Sequence, residues 1–418
     1  MSCSPKTRIW GAVLLFVAAF AKSAPAGDWP QWLGPSRNGT SSEVVAPWSE
    51  APKVLWKHPV GSGFSTPVIA DGKFFVHAQE GTKDAEEVIA IDIASGKVAW
   101  RKSYERTTYR SALGAGPRAT PMVHEGRLYS YGITGTLSCF DADKGSLVWQ
   151  AQPFSDLKAS VPDFGVCSSP IAVGNKVIVP VGGPGSAVVA YDAATGSIAW
   201  KGLDEPGCSA SPITIKTGSG ESERTDIVVQ TTLRIVGLNP DDGAIRWEHP
   251  LVFQPSGVSP TPLMVGDSLV CTTQDTGTLA LKFGKEKNPT TPWWQHDWSS
   301  YFSTGAAGAE GEVYVVTNLV MPLPRADLRC IEITSGKEKW RKESLGYFHI
   351  GVILTGDRKL LLLDDGGNLT LAETEKGFKQ LARAKICGGT FVNPVLSNGK
   401  LFARDGKEVV CVELPLAQ

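Results

Sequence analysis

His58, His77, His124, His249, His296 and His349 are the only histidines of the 418-residue chain. No two have metal-binding spacing and no H-E-x-x-H occurs, so no sequence-local zinc centre is encoded. Asp141-Ala-Asp143-Lys-Gly145 and Asn239-Pro-Asp241-Asp242-Gly243 space their oxygens somewhat as a calcium loop does. Neither is followed by the bidentate glutamate such a loop needs, and both read as tight turns. Ser/Thr-Pro pairs recur too often to be nucleophiles, and no G-x-S-x-G elbow is present. One group remains. Arg118 precedes Thr120-Pro121, behind a loop bearing Arg106 and Arg110; Tyr301 and Phe302 precede Gly305; His349 sits in Phe348-His349-Ile350-Gly351. Gathered on one rim, Arg110, Arg118, Tyr301 and His349 have the chemistry to hold an anionic or planar ligand. Trp293, Trp294 and Trp298 around His296-Asp297 are either a contact surface or structural tryptophans.

What would gather such residues is a repeat. Val88-Ile-Ala-Ile-Asp92-Ile-Ala-Ser-Gly96-Lys-Val-Ala-Trp100 returns as Leu137-Ser-Cys-Phe-Asp141-Ala-Asp-Lys-Gly145-Ser-Leu-Val-Trp149, and again from Val188 to Trp200. Weaker copies end at Trp247 and Trp340; one at 279–294 is distorted by Asn288-Pro289, and one at 369–381 has Leu381 in place of Trp. Apolar residues two apart make a half-buried strand, Asp and Gly make the turn, and the next strand ends in a large aromatic. A hairpin precedes each copy, as in Thr66-Pro67-Val-Ile-Ala-Asp71-Gly72-Lys-Phe-Phe-Val76. Its first strand begins near residues 67, 121, 170, 212, 262, 305, 351 and 394, which predicts eight four-stranded units of about 45 residues, the size of a propeller blade. The last unit stops at its third strand, and Lys53-Val-Leu-Trp56-Lys57 supplies the missing fourth. The expectation is an all-β, eight-bladed propeller of four-stranded antiparallel blades, closed by a strand at 53–60.

Composition agrees. Gly 45 and Pro 28 are too many for a helical protein, and 42% hydrophobic residues suffice for a large core. Lys+Arg 41 against Asp+Glu 42 excludes the basic signature of nucleic-acid binding. Residues 1–26 read as a signal peptide: Lys6 and Arg8, a short apolar run, then Ala24-Pro25-Ala26. The rest, 27–418, is one domain, with a Trp/Pro-rich lead-in at 27–52. Cys3 lies before the apolar run, so no lipid anchor is encoded there. Export is expected, to the periplasm or outside the cell, as a monomer. Of the remaining cysteines, Cys139, Cys330 and Cys411 occupy one repeating place, that of Ala90, Ala190 and Gly237. A small buried apolar role fits them better than a disulfide framework.

The repeat resembles the pyrroloquinoline-quinone (PQQ)-like propeller repeat, Ala-x-Asp-x-x-x-Gly-x-x-x-Trp, across nearly all of the chain after residue 27. Asp28-Trp29-Pro30-Gln-Trp32-Leu-Gly34-Pro35-Ser-Arg37-Asn38-Gly39 looks like the lead-in common in exported bacterial members. The resemblance implies the fold and two kinds of role. Quinoprotein alcohol dehydrogenases hold PQQ and calcium in the channel of an eight-bladed ring, but are much longer, and many carry an adjacent Cys pair absent here. The BamB branch is a cell-envelope scaffold, usually lipid-anchored and with a smaller ring. The expected function is therefore a non-catalytic binding or scaffold module that holds a protein, glycan or small-molecule ligand at its loops or channel mouth. The alternative is a PQQ-dependent alcohol or sugar dehydrogenase with quinone and calcium in the channel.

Overall fold

A computed structural model describes residues 27–416 except 219, 221–222, 253–258, 310 and 320–321. Residues 1–26, expected to be a signal peptide, and Cys3 among them lie outside the described residues. Eight four-stranded antiparallel sheets follow one another along the chain, with one short helix, Pro153–Asp156. Blade 1 comprises Val68–Ala70, Lys73–Gln79, Ala85–Asp92 and Val98–Glu105. Blades 2 to 7 span 122–151, 171–202, 213–250, 263–295, 306–346 and 350–385. Blade 8 takes three strands from the C-terminus, and its outermost strand is Lys53–Pro59, which pairs with Glu408–Glu413. Both ends of the propeller chain are thereby held in one sheet, and no blade is left with an unpaired third strand.

The repeat tryptophans are inter-blade docking residues. Trp56, Trp100, Trp149, Trp200 and Trp293 each donate their indole N–H to a backbone carbonyl in the next blade's outer turn: Ile93, Ala142, Ala193, Pro240 and Ile333. Each ring also covers that turn's glycine. A Cβ on Gly96, Gly145, Gly196, Gly243 or Gly336 would meet it at 2.5–2.6 Å. Opposite each tryptophan in its own blade stands a small residue, Cys411, Ala90, Cys139, Ala190 or Ala280. Cys139 and Cys411 are thus space-makers, and all seven described cysteines are free.

Three interfaces depart from this rule. Blade 5 has Phe283 where the glycine turn should be, so Trp247 folds back to donate to Asp226 Oδ2 and packs edge-on to Phe283 at 4.9 Å. Trp340 packs on Phe378 of blade 7 instead of a glycine. In blade 7 the tryptophan position belongs to Ala382, one residue beyond the expected Leu381, because the turn before it is one residue longer. Its partner is the large Leu371, so the small–large order across the strand pair is reversed. Of the two tryptophans at the end of blade 5, Trp293 is the docking residue. Trp294 is stacked on His296 at 4.3 Å.

The Ser/Thr-Pro pairs are staples. The N–H of Thr66 donates to Thr120 Oγ1, that of Thr120 to Ser169 Oγ, that of Ser169 to Ser211 Oγ and that of Thr261 to Thr304 Oγ1. In these four pairs one hydroxyl satisfies a buried inner-strand amide of the neighbouring blade, which would otherwise cost about 1–3 kcal/mol.

The lead-in does more than rest on the ring. Trp29 pairs with Ile69 of blade 1, and the Pro30 carbonyl accepts from Val123 of blade 2. The Trp32 indole reaches Thr261 in blade 5. Buried Arg37 donates to the Pro170 and Ser169 carbonyls of blade 3. Asn38 and Gly39 bond Ala307 and Leu354 in blades 6 and 7, and Ala46 bonds Pro415 beyond blade 8. The segment crosses beneath the inner strands at the end that carries the first-to-second strand hairpins.

Candidate functional site

Loops joining second to third strands, and fourth strands to the next blade, share the opposite end of the ring. Each inner strand is approached there by one short segment, and the residue two places before the Ser/Thr position faces the mouth. Around the ring these residues are Phe64, Arg118, Cys167, Ser209, Ser259, Phe302, Phe348 and Phe391. The order divides the mouth in two. Blades 6, 7, 8 and 1 contribute four phenylalanines; blades 2 to 5 contribute one arginine, one thiol and two hydroxyls.

The aromatic half is packed on itself. Phe391 lies 5.7 Å from Phe302 and 6.1 Å from Phe64 between ring centroids. Phe302 and Phe391 remain 37% and 39% exposed. Two polar side chains position this half. Asn318 accepts from the Tyr301 N–H and donates to the Phe348 carbonyl, and Asp365 accepts from the N–H groups of Tyr347, Phe348 and His349. Neither stood out in the sequence, because an Asn ending a strand and an Asp in a turn are ordinary residues.

Of the four rim residues expected from sequence, Arg118 is on the mouth. Its guanidinium donates to the Phe164 and Gly114 carbonyls and Ser111 Oγ, and lies 6.0 Å from the Phe64 centroid. Cys167 is next to it, between Arg118 and Ser209; burial pushes the thiol up while both neighbours act to lower it. His349 lies one residue deeper than the rim, 2% exposed, with Nδ1 2.9 Å from Ser303 Oγ and its ring stacked on Phe302. Burial brings its imidazole down to about 4, so it is neutral at pH 7. Tyr301 touches Phe302 edge-on at 6.4 Å. Arg110 is on the same end but exposed and paired with Asp84 at 2.7 Å.

A second polar group escaped the sequence reading. His77 Nε2, Tyr104 Oη and Glu86 Oε2 lie within 2.6–3.2 Å of one another, and Glu86 Oε1 accepts from the Ile133 N–H of blade 2. His77 and Glu86 are sealed from solvent, so this is an inter-blade strut without substrate access.

The family model described as outer membrane protein assembly factor BamB matches residues 38–112 and 84–342. The chain belongs to this family of PQQ-like propellers. Among solved structures, the fold is similar to a quinohemoprotein alcohol dehydrogenase from Comamonas testosteroni (TM-score 0.69, 16% identity, 95% of this chain and 82% of that one). It is also similar to BamB from Moraxella catarrhalis (TM-score 0.62, 15% identity, 88% and 99%). Among curated proteins, the quinohemoprotein alcohol dehydrogenase ADH IIB of Pseudomonas putida is 30% identical over 158 residues, 35% of this chain and 21% of that protein. The polyvinylalcohol dehydrogenase of Sphingopyxis sp. is 25% identical over 266 residues, 53% and 39%. The alignments thus span about a fifth to two fifths of those relatives. This PQQ-like propeller is related to both the dehydrogenase and the scaffold branches.

The dehydrogenase branch implies a quinone and a calcium ion, and the channel residues do not fit the calcium. The last three residues of each approach, from Phe64-Ser65-Thr66 to Phe391-Val392-Asn393, include no Asp or Glu; Asp156, Asp163, Asp204, Glu205 and Asp297 stand farther back in the same loops. Two nearby carboxylates, Asp365 and Asp405, are committed to backbone N–H groups, Asp405 to those of Gly388, Lys407 and Glu408. Calcium takes six to eight oxygens, carboxylates prominent among them. This mouth offers hydroxyls, aromatic faces and a guanidinium instead.

Proposed function

We propose that the protein is a non-catalytic binding or scaffold module of the cell envelope that engages a protein, glycan or small ligand through its loop end. The observation that carries this reading is the placement of exposed apolar side chains. Leu113, Phe164, Phe302, Leu323, Tyr347 and Phe391 are all on the loop end. On the hairpin end, among the described residues, the large exposed apolar side chain is Leu416; Val54, Val98, Leu147, Val148, Ile198 and Ile245 lie along outer strands, and Leu233, Val252 and Leu319 are on the loop end. Apolar patches rimmed by polar residues mark interaction sites. Among the described residues no helix is long and apolar enough to cross a membrane.

A quinone-dependent dehydrogenase is the second reading, favoured by the relatives' names and opposed by the lack of Asp and Glu among the eight mouth-facing residues. Two measurements test the proposal together. A photo-crosslinking amino acid at Phe164 or Tyr347 should capture partners in the native envelope, whereas one at Leu147 on an outer strand should not. The purified chain with PQQ and Ca²⁺ should not reduce a dye with alcohols or aldoses. Turnover in that assay would overturn the non-catalytic reading, and equal capture at all three positions would overturn the loop-end assignment.

A further inference from the structure

Most described arginines stand within 4.0 Å of a carboxylate, as Arg106, Arg110, Arg234 and Arg383 do. Arg118, Arg404, Arg37 and Arg127 do not, and the first three surround the channel. Arg118 is held by two carbonyls and a hydroxyl. Arg404, fully buried, donates to the Ser65, His77 and Gly61 carbonyls and to Ser65 Oγ, directly behind Phe64. A Cβ on Gly63 would lie 2.8 Å from its Nη2 and 3.0 Å from the Pro117 carbonyl, which places Arg404 under the Phe64–Arg118 sector. Arg37 rises from the lead-in to the blade 3 carbonyls. The Nε–H groups of all three are buried without an acceptor. The carboxylate that compensates Arg404 through space is Asp405, which is itself committed to backbone N–H groups. Neutral acceptors satisfy hydrogen bonds but do not cancel charge, so the sector is electropositive.

This positive sector adjoins the aromatic half of the mouth at a single seam, where Arg118 meets Phe64. We propose that the mouth binds a small aromatic monoanion, an arene carboxylate. Its ring lies against Phe64, Phe302 and Phe391, and its carboxylate takes Arg118. The hydroxyls of Ser209 and Ser259 line the side facing the ring. The charge selects a carboxylate over an alcohol, because guanidinium–carboxylate bonds are about twice as strong as neutral ones. The phenylalanines select an aryl acid over acetate, since offset or edge contacts between rings add about 0.5–1.5 kcal/mol beyond area. The proposal rests on the loop-end binding reading and specifies the ligand of its central mouth. No calcium is required.

The test is isothermal titration of the purified chain with 1-naphthoate, 1-naphthalenemethanol, acetate, and PQQ with and without Ca²⁺. The expected result is saturable one-site binding of naphthoate, at least tenfold weaker binding of the neutral alcohol, and none of acetate. Arg118→Gln and Phe391→Leu should each weaken naphthoate at least fivefold. Arg110→Gln, on the same end but paired with Asp84, should leave it unchanged. Because Arg118 also holds its own loop, Phe391→Leu, at a partly exposed site, guards against misfolding as the cause. No saturable naphthoate binding, indifference to both substitutions, or binding of PQQ alone with dependence on Ca²⁺ would each overturn the proposal. Partner capture at Phe164 and Tyr347 would still succeed in those cases, so failure here is separable from failure of the binding-module reading.

Discussion

Alanine at Gly145 should destabilise the ring several times more than alanine at Gly126, although both glycines have the same backbone shape. Their φ angles are +69° and +73°. Alanine in this left-handed region costs about 1 kcal/mol at either site. At Gly126 nothing lies within 4 Å of the added Cβ, so the cost ends there. At Gly145 the Cβ would sit 2.5 Å from Trp100 Cδ2, and the ring must move. Trp100 is 9% exposed and donates to the Ala142 carbonyl at 3.1 Å. Losing that bond costs about 1 kcal/mol, and the overpacking about 1–3 kcal/mol more. The expected totals are about 1 kcal/mol for Gly126→Ala and about 3–5 kcal/mol for Gly145→Ala. Urea unfolding, followed by tryptophan fluorescence and far-UV circular dichroism with coincident transitions, measures both. A double-mutant cycle with Trp100→Leu isolates the contact. Equal costs at the two glycines, or simple additivity in the cycle, would refute the docking role assigned to the repeat tryptophans.

Two further outcomes concern buried polar groups. Arg37→Met should lower stability by about 2 kcal/mol or more, because it leaves the Ser169 and Pro170 carbonyls without their donors; a melt indistinguishable from the parent chain would contradict the anchoring of the lead-in. His349 has a folded pKa of about 4 against 6.5 unfolded, so the folded state binds fewer protons between those values. Its contribution is therefore complete above pH 6.5 and is lost as pH falls towards 4, in total about 3 kcal/mol. Asp365 acts in the opposite sense and limits the shift. The stability difference between the parent chain and His349→Gln should vary with pH in that window and be flat below it; a pH-independent difference would sink the assignment.

The ring was legible in the sequence because its information is local and repeated. Asp, Gly and Trp at fixed spacing specify a turn, a strand and a docking ring, and the three full copies at 88–100, 137–149 and 188–200 make the weaker ones recognisable. The exceptions were legible only in part. Asn288-Pro289 announced that blade 5 is irregular, but not that Phe283 would turn Trp247 onto its own blade. The one-residue shift to Ala382 depends on turn length, which a search for the Trp position does not register. The course of the lead-in was hidden for a different reason. Its partners, from Ile69 to Pro415, are spread over the whole chain, and irregular backbone has no period to betray its contacts. For the mouth, repeat alignment located the approach segments. Whether the second or first residue before the Ser/Thr position faces the axis required the backbone, which is why His349 was placed at the rim and Phe348 was not.

The lead-in ties blades 1, 2, 6 and 7 together at the hairpin end and leaves the loop end as the face open to partners. Solute that reaches the mouth passes the same apolar loops that a macromolecular partner would cover. Occupancy of the mouth and docking on the loop end are then thermodynamically linked. Either the partner excludes the solute, and each weakens the other's affinity by one common factor, or it seals the solute in. In the second case the residence time of the small molecule becomes that of the partner.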